Sequence, residues 1–186
     1  MKLPMPFEEM KIKSIKTGIC DGWENIMNNA QCVEDIPTNI LSEWAYYWVM
    51  FFGDHDIMRP LITESEWAYK WAFNIGDHDI MRPIVNDPEY AYLWARFIGD
   101  HDIMRPLITE SQWAYKWAKD IGDHDIMRLL VTESQWAYWW ARFIGDHDVM
   151  RPLISDSKWA YWWARDIGDK DIMEPFFKGT EYESKI

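Results

Sequence analysis

Glycine recurs along this chain at a fixed interval: Gly53, Gly76, Gly99, Gly122, Gly145 and Gly168, each 23 residues after the last. The words around it recur too, with GDHDIMRP written almost unchanged from unit to unit. Such a period limits the chain to repeat architectures, in which no unit buries its apolar face alone and each must stack on its neighbours. Six units occupy residues 43–178, after a non-repeated segment 1–42 and before a tail 179–186.

Each unit carries two helix signals. In TESEWAYKWAFNI, Trp67, Trp71 and Ile75 recur at i, i+4 and i+8 with Ala68 and Ala72 beside them. That is one apolar face of a helix of about three turns. Thr63 with Glu66 reads as a capping box, repeated as Thr109/Gln112 and Thr132/Gln135. In the third unit Asn86 is the candidate cap and Pro88 suits the first turn. Gly76 supplies a left-handed stop. The second signal is GDHDIMRPLI, residues 53–62, where Ile57, Met58, Leu61 and Ile62 form a second apolar face. Asp54 or Asp56 is the expected cap, and Pro60 pushes the helix start toward Asp56. Leu129 stands in the proline's place in one unit, so proline assists there without being required. No unit has the L-x-L strand of a leucine-rich repeat. The expected fold is therefore an all-α short-repeat solenoid with a non-repeat N-terminal cap. In that cap, a helix is expected near Trp23–Asn29, and residues 10–18 suit either a strand or a helix.

Residues 87–107, DPEYAYLWARFIGDHDIMRPL, carry a D-P start, an A-Y-x-W-A core, a glycine and a second proline. In this the units resemble short helical repeats of the type D-P-x-W-A-Y-x-Y-A…G-R-x-P-E-A-E-P-x-I, found in bacteriophage and large-virus proteins and some bacterial ones. D-H-D-I-M-R replaces the usual R-x-P-E-A-E. The resemblance implies a helical solenoid and a viral origin. It brings no catalytic residue and no function.

Equivalent positions separate core from surface. Trp44, Trp67, Tyr90, Trp113, Trp136 and Trp159 form one aromatic column, Trp48, Trp71, Trp94, Trp117, Trp140 and Trp163 another. Tyr46, Tyr69, Tyr92, Tyr115, Tyr138 and Tyr161 form a third. Aromatic columns at helical spacing read as core. Other columns change from unit to unit. One runs Tyr47, Lys70, Leu93, Lys116, Trp139, Trp162, and the next Met50, Phe73, Arg96, Lys119, Arg142, Arg165. A third alternates: Phe51, Asn74, Phe97, Asp120, Phe143, Asp166. Change of this kind suits an exposed face, and solenoids diversify binding surfaces that way. The candidate partner-binding residues are Trp139, Trp162, Arg142, Arg165, Leu93 and Arg96. Trp139 and Trp162, one repeat apart in the same column, are expected side by side in adjacent layers, beside Arg142 and Arg165; exposed Trp next to Arg has the composition of a contact hot spot.

The Asp-His-Asp triplet invites a metal or catalytic reading. His55, His78, His101, His124 and His147 hold the same slot, and Lys170 takes it in the last unit. Ligands must converge to about 2.0–2.2 Å from an ion, whereas stacked layers hold equivalent residues roughly 8–10 Å apart. Consecutive residues at a helix start also point apart. No nucleophile or phosphate loop accompanies the triplet. The expectation is no metal, no cofactor and no enzyme activity, with the aspartates capping and Arg59, Arg82, Arg105, Arg128 and Arg151 reaching acids of the following unit. Glu174 ends that arginine column where Lys170 ends the histidine column, which suggests an i,i+4 pair.

The net charge of −12 divides as −2 in residues 1–42, −9 in the repeats and −1 in the tail. That argues against binding nucleic-acid phosphates or anionic lipid. Cys20 and Cys32 lie outside the repeats and read as reduced thiols. With no apolar run suited to an export signal or membrane span, a cytoplasmic location is expected, in a host's cytoplasm if viral. The expected role is a non-enzymatic scaffold that binds a protein partner through its variable columns. The alternative is an acidic nucleic-acid mimic that inhibits a nucleic-acid-binding protein, weakened by the interspersed cations.

Overall fold

The computed structural model describes residues 5–20, 22 and 24–185. Among them there are fourteen α-helices and no strand, which is the all-α repeat solenoid expected. The chain divides into two compact units, one up to Ile98 and one from Gly99.

In the first unit, α1 (Phe7–Thr17) and α2 (Glu24–Asn29) precede the repeats. Residues 10–17, left between strand and helix above, are helical; the expected start of α2 at Trp23 lies outside the described residues. Then come a long helix α3 (Thr38–Phe52), a short α4 (His55–Met58), a long α5 (Ser65–Asn74), a short α6 (His78–Met81) and a long α7 (Pro88–Phe97). The boundary expected at residue 42 thus falls inside α3. Lys11 is buried, with its Nζ donating to the Ala30 carbonyl (2.7 Å) and pairing with Glu8 (2.8 Å). Trp44 Nε1 donates to Ser14 Oγ (2.8 Å), Phe7 meets the Trp44 ring edge-on, and Lys13 covers Phe52 (3.8 Å). The non-repeated segment therefore covers the open end of the first repeat.

The second unit repeats the alternation: α8 (His101–Met104), α9 (Ser111–Asp120), α10 (His124–Met127), α11 (Ser134–Phe143), α12 (His147–Met150), α13 (Ser157–Asp166) and α14 (Lys170–Phe177). Here α14 stays helical for eight residues, and Phe177 and Tyr182 close on Tyr161. Lys170 and Glu174 do not form the pair expected of them. Lysine N-terminal to glutamate is the weaker order on a helix, and helical side chains lean toward the N-terminus, so Lys170 leans away from Glu174.

The cores follow the constant columns in part: Tyr69, Tyr90, Trp136 and Trp159, expected inside, are only half-buried. Trp48, Trp71 and Trp94 in one unit and Trp117, Trp140 and Trp163 in the other are fully buried, beside buried alanines and the buried methionine of each short helix. Alanine brings adjacent long helices close, and tryptophan fills the layer between long and short helices.

Three local expectations need correction. The long helices begin at Ser65, Ser111 and Ser134, two residues after the threonines expected to cap them, and no side-chain cap forms there. The backbone N–H of Thr63 instead donates to Ser42 Oγ (3.0 Å), and that of Thr132 to Ser111 Oγ (3.0 Å), each serine lying 21 residues earlier. Asn86 is held in the same way by Ser65 (3.0 Å), while Asp87 caps α7 through the Glu89 N–H (2.8 Å). The serine hydroxyl also donates to a carbonyl of the following repeat, as Ser111 does to Leu130 (3.2 Å).

The second correction concerns the short helix. One α-turn, His55–Met58, passes directly into a 3₁₀ turn, Arg59–Leu61, with Pro60 inside it. Proline lacks an N–H and ends the α pattern rather than starting it. The third follows from the second: a four-residue α-turn keeps no single apolar face. Met58, Leu61 and Ile62 are buried, but the column of Ile57 turns outward, and Ile80, Ile103, Ile126, Val149 and Ile172 are each about half exposed.

Candidate functional site

The Asp-His-Asp-x-x-Arg stretch is a joint between repeats. Its glycine adopts a positive φ, +117° at Gly122, and the aspartate after it takes the left-handed conformation, with φ between 55° and 64° in all six units. Asp tolerates that region better than most residues. It points the carboxylate back to the long helix instead of capping the short one. Trp117 Nε1 donates to Asp123 Oδ2 (3.1 Å), and the same bond joins Trp48 to Asp54, Trp71 to Asp77, Trp140 to Asp146 and Trp163 to Asp169. A fully buried indole thereby satisfies its one donor.

The arginine ladder is present. Arg59 Nε donates to Asp77 (3.0 Å), Arg105 to Asp123 (2.9 Å) and Arg151 to Asp169 (2.8 Å), each aspartate belonging to the next repeat. Each of these arginines also holds the aspartate three residues before it, such as Asp102 (3.0 Å). Arg128 keeps only its own Asp125 (3.1 Å). Leu129 follows it in place of proline, and the ψ of Arg128 is −28° where Arg105 has −45° and Arg151 −47°. Without the ring's steric demand on the preceding residue, the guanidinium swings away from Asp146.

The bond from Arg151, with its charge and the Trp163 indole, holds Asp169 below the usual carboxylate range. Partial desolvation pushes Asp123 upward, but the Trp117 and Arg105 bonds outweigh it and leave the group lowered.

Histidine completes the joint. His55, His78, His101, His124 and His147 meet the tryptophan of the next repeat edge-on, with ring centroids 5.9–6.1 Å apart. His78, His124 and His147 direct Nε2 to the carbonyls of Ala72, Ala118 and Ala141 (3.1, 2.9 and 3.0 Å). A carbonyl only accepts, so Nε2 carries the proton. The left-handed aspartate, the arginine and the histidine of this stretch thus each have a packing role. Among the described residues no three His, Cys, Asp or Glu side chains gather as a metal's ligands would.

The variable columns lie on the outward face of the long helices. In the first unit it carries exposed apolar side chains, with Met50, Phe51, Phe73 and Phe97 all more than half exposed and Phe73 and Phe97 in edge contact (6.1 Å), while Lys70 covers Trp67 (4.0 Å). Leu93 is half-buried, and Arg96 covers Phe97 (5.1 Å) and donates to the Tyr92 hydroxyl (2.6 Å). In the second unit the face alternates cations and rings. Lys116 covers Trp113 (3.9 Å), Lys119 covers Phe143 (5.4 Å), and Arg165 covers Trp162 (3.8 Å). Trp139 and Trp162 are half-buried but are not in ring contact, contrary to expectation. Trp139 stacks on Phe143 (5.6 Å, 18°) and meets Trp159 edge-on (6.3 Å), because its helix turns it toward its own i+4 neighbour.

Asp166 organises this face and was not among the expected residues. It accepts from the Tyr138 hydroxyl (2.6 Å), from Arg165 Nε (2.7 Å) and from Arg142, which also donates to Tyr138. The Arg165 bond, then those of Tyr138 and the Arg142 charge, keep its carboxyl low. Its only sequence signal is the Phe/Asp alternation of its column. An acidic recess of about 250 Å³ lies elsewhere in the first unit, between Glu64, Glu66, Asp87 and Tyr90. Burial, helped by Glu66 and Glu89, pushes the Tyr90 phenol up to about 12.

Cys20 is buried, Cys32 is exposed, and both are free thiols. No described helix is long and apolar enough to cross a membrane. No family model, curated protein or solved structure matches the chain.

Proposed function

We propose that the protein is a non-enzymatic scaffold that binds another protein through the outward face of its long helices. The observation that carries this reading is the exposure of Phe73, Phe97 and Phe143 in columns that change between repeats. Large rings left half in water contribute little to folding, and such patches mark contact surfaces. Arg142 and Arg165 support it. Asp166 fixes both in place beside Trp139 and Trp162, so little side-chain freedom is lost on contact. Phage or other viral origin and a cytoplasmic location belong to this proposal only through the repeat resemblance.

The acidic-mimic reading is weaker. The outward aspartates of the joint, Asp56, Asp79, Asp102, Asp125 and Asp148, each hold an arginine within 3.2 Å, and these interspersed cations break up the unbroken phosphate-like array a mimic needs. The test is affinity capture from the native host with the Trp139→Ala/Trp162→Ala chain. Loss of a protein captured by the parent chain supports the proposal, and unchanged capture ends it.

A further inference from the structure

The joint edge carries a feature that neither packing nor capping uses. In the second unit, Ile103, Ile126, Val149 and Ile172 are each about half exposed. Three residues further on stand Pro106, Leu129, Pro152 and Pro175. Leu129 is 75% exposed, the most exposed of the large hydrophobic residues described. Residues three apart are neighbours on a helical turn, so the two slots share one side. Where a repeat departs from the common word, at Val149 or Leu129, the slot stays apolar. At Leu129 the proline's backbone role has gone and only the apolar surface has been kept. A row of this kind in water marks a contact.

Carboxylates border the row. Asp102, Asp125 and Asp148 precede the aliphatic residues by one position and are almost fully exposed. Their Oδ1 atoms accept from Arg105, Arg128 and Arg151 at 3.0–3.2 Å, which leaves each Oδ2 turned to solvent. An open depression of about 430 Å³ lies among Asp123, His124, Asp125 and Ile126.

We propose that this edge is a second docking surface, for a partner segment whose apolar stripe is flanked by lysine or arginine. The charges select that occupant. A second copy of this chain would set one aspartate row against another, and an anionic bilayer would be repelled. A cationic amphipathic segment lays its apolar residues on the Ile103–Val149 row and its ammonium groups on the free Oδ2 atoms. The surface is independent of the long-helix face.

The test titrates the full chain into two fluorescent synthetic helices of about five turns, one with a leucine stripe flanked by lysines and one with glutamates instead. The lysine peptide is expected to bind. Ile103→Ser/Ile126→Ser/Val149→Ser and, separately, Asp102→Asn/Asp125→Asn/Asp148→Asn should each weaken it by about tenfold or more, a loss comparable to removing a few partly buried apolar groups or charge contacts. Ile12→Ser/Ile15→Ser, which removes exposed aliphatics from α1, should leave binding within about twofold, as additivity of distant sites requires. Circular dichroism melting should be the same for all. The proposal is overturned if the lysine peptide does not bind, if the glutamate peptide binds as well, or if the α1 variant loses as much as the edge variants. It is also overturned if the parent chain sediments as a dimer that the serine variant dissociates.

Discussion

The joint and the long-helix face are built from the same residue types and use them oppositely. At the joint, arginine, aspartate, histidine and tryptophan are bound to one another: Arg105 and Trp117 share Asp123, and His101 lies against Trp117. On the face, Arg165 covers a half-buried Trp162, and Phe143 stands more than half exposed. The joint is repeated almost word for word and the face is rewritten in every unit. A dense cluster of chemically capable groups can therefore be framework on its inward side, while the exposed rings of the long-helix face stay free to act.

The comparison breaks most sharply at the indoles. Trp117→Ala should destabilise the chain by about 3–5 kcal/mol, the usual loss for a buried aromatic. Phe143→Ala should cost less than about 1 kcal/mol, since its ring is largely in water already. Urea denaturation of both variants measures the contrast, and equal losses would erase it.

Asp123→Asn sharpens the picture next. Asparagine tolerates the left-handed backbone and can still accept from Trp117, but it loses the charge that Arg105 meets. About 1–2 kcal/mol of destabilisation is expected in the same assay, in the range of charge-assisted bonds. Ser111→Ala removes one hydroxyl that joins two repeats and should cost about 1 kcal/mol. A neutral result would mean the serine pins are incidental.

Acid should loosen the joint, and with it the Asp166 clamp of the face, whose carboxyl is lowered too. Asp123 and Asp169 have folded-state values below their unfolded ones, so their stabilisation is present above the unfolded carboxylate value, about 3.9, and fades as pH falls through the lowered folded one. Melting temperature measured from pH 6 downward, about two units past that value, should decline mainly below pH 4. Asp123→Asn should flatten the decline. The smallest effect is expected from Leu129→Pro, which should stabilise by no more than about 1 kcal/mol through chain entropy. It should also return Arg128 to Asp146, visible as a shifted Arg128 Nε–H resonance.

Periodicity makes most of the fold legible in the sequence. The glycine beat, the two helices per unit, the buried Trp48–Trp163 column and the arginine ladder all follow from spacing and charge. The misread features depend on partners distant in sequence or on unusual backbone. Thr63 matched a capping box because the motif is local, but its amide bonds Ser42, 21 residues back. Asp54 looked like a cap because a left-handed φ of 64° at a non-glycine residue has no sequence mark. Ile57 was placed inward because helical spacing fails where an α-turn gives way to a 3₁₀ turn. On the face, Trp139 and Arg142 were readable from column variation. The clamp at Asp166 was not, since it needs Tyr138 from the preceding repeat.

The division of labour between joint and face is tested most directly by capture of the proposed protein partner by three chains matched in concentration: the parent, Trp139→Ala/Trp162→Ala, and His124→Gln/His147→Gln. The tryptophan pair should lose about 90% of captured partner, roughly the effect of removing two interface anchors, with little change in melting temperature. The histidine pair should melt lower and capture as much as the parent below its transition. Full capture by the tryptophan variant, or loss of capture by a folded histidine variant, would contradict the account.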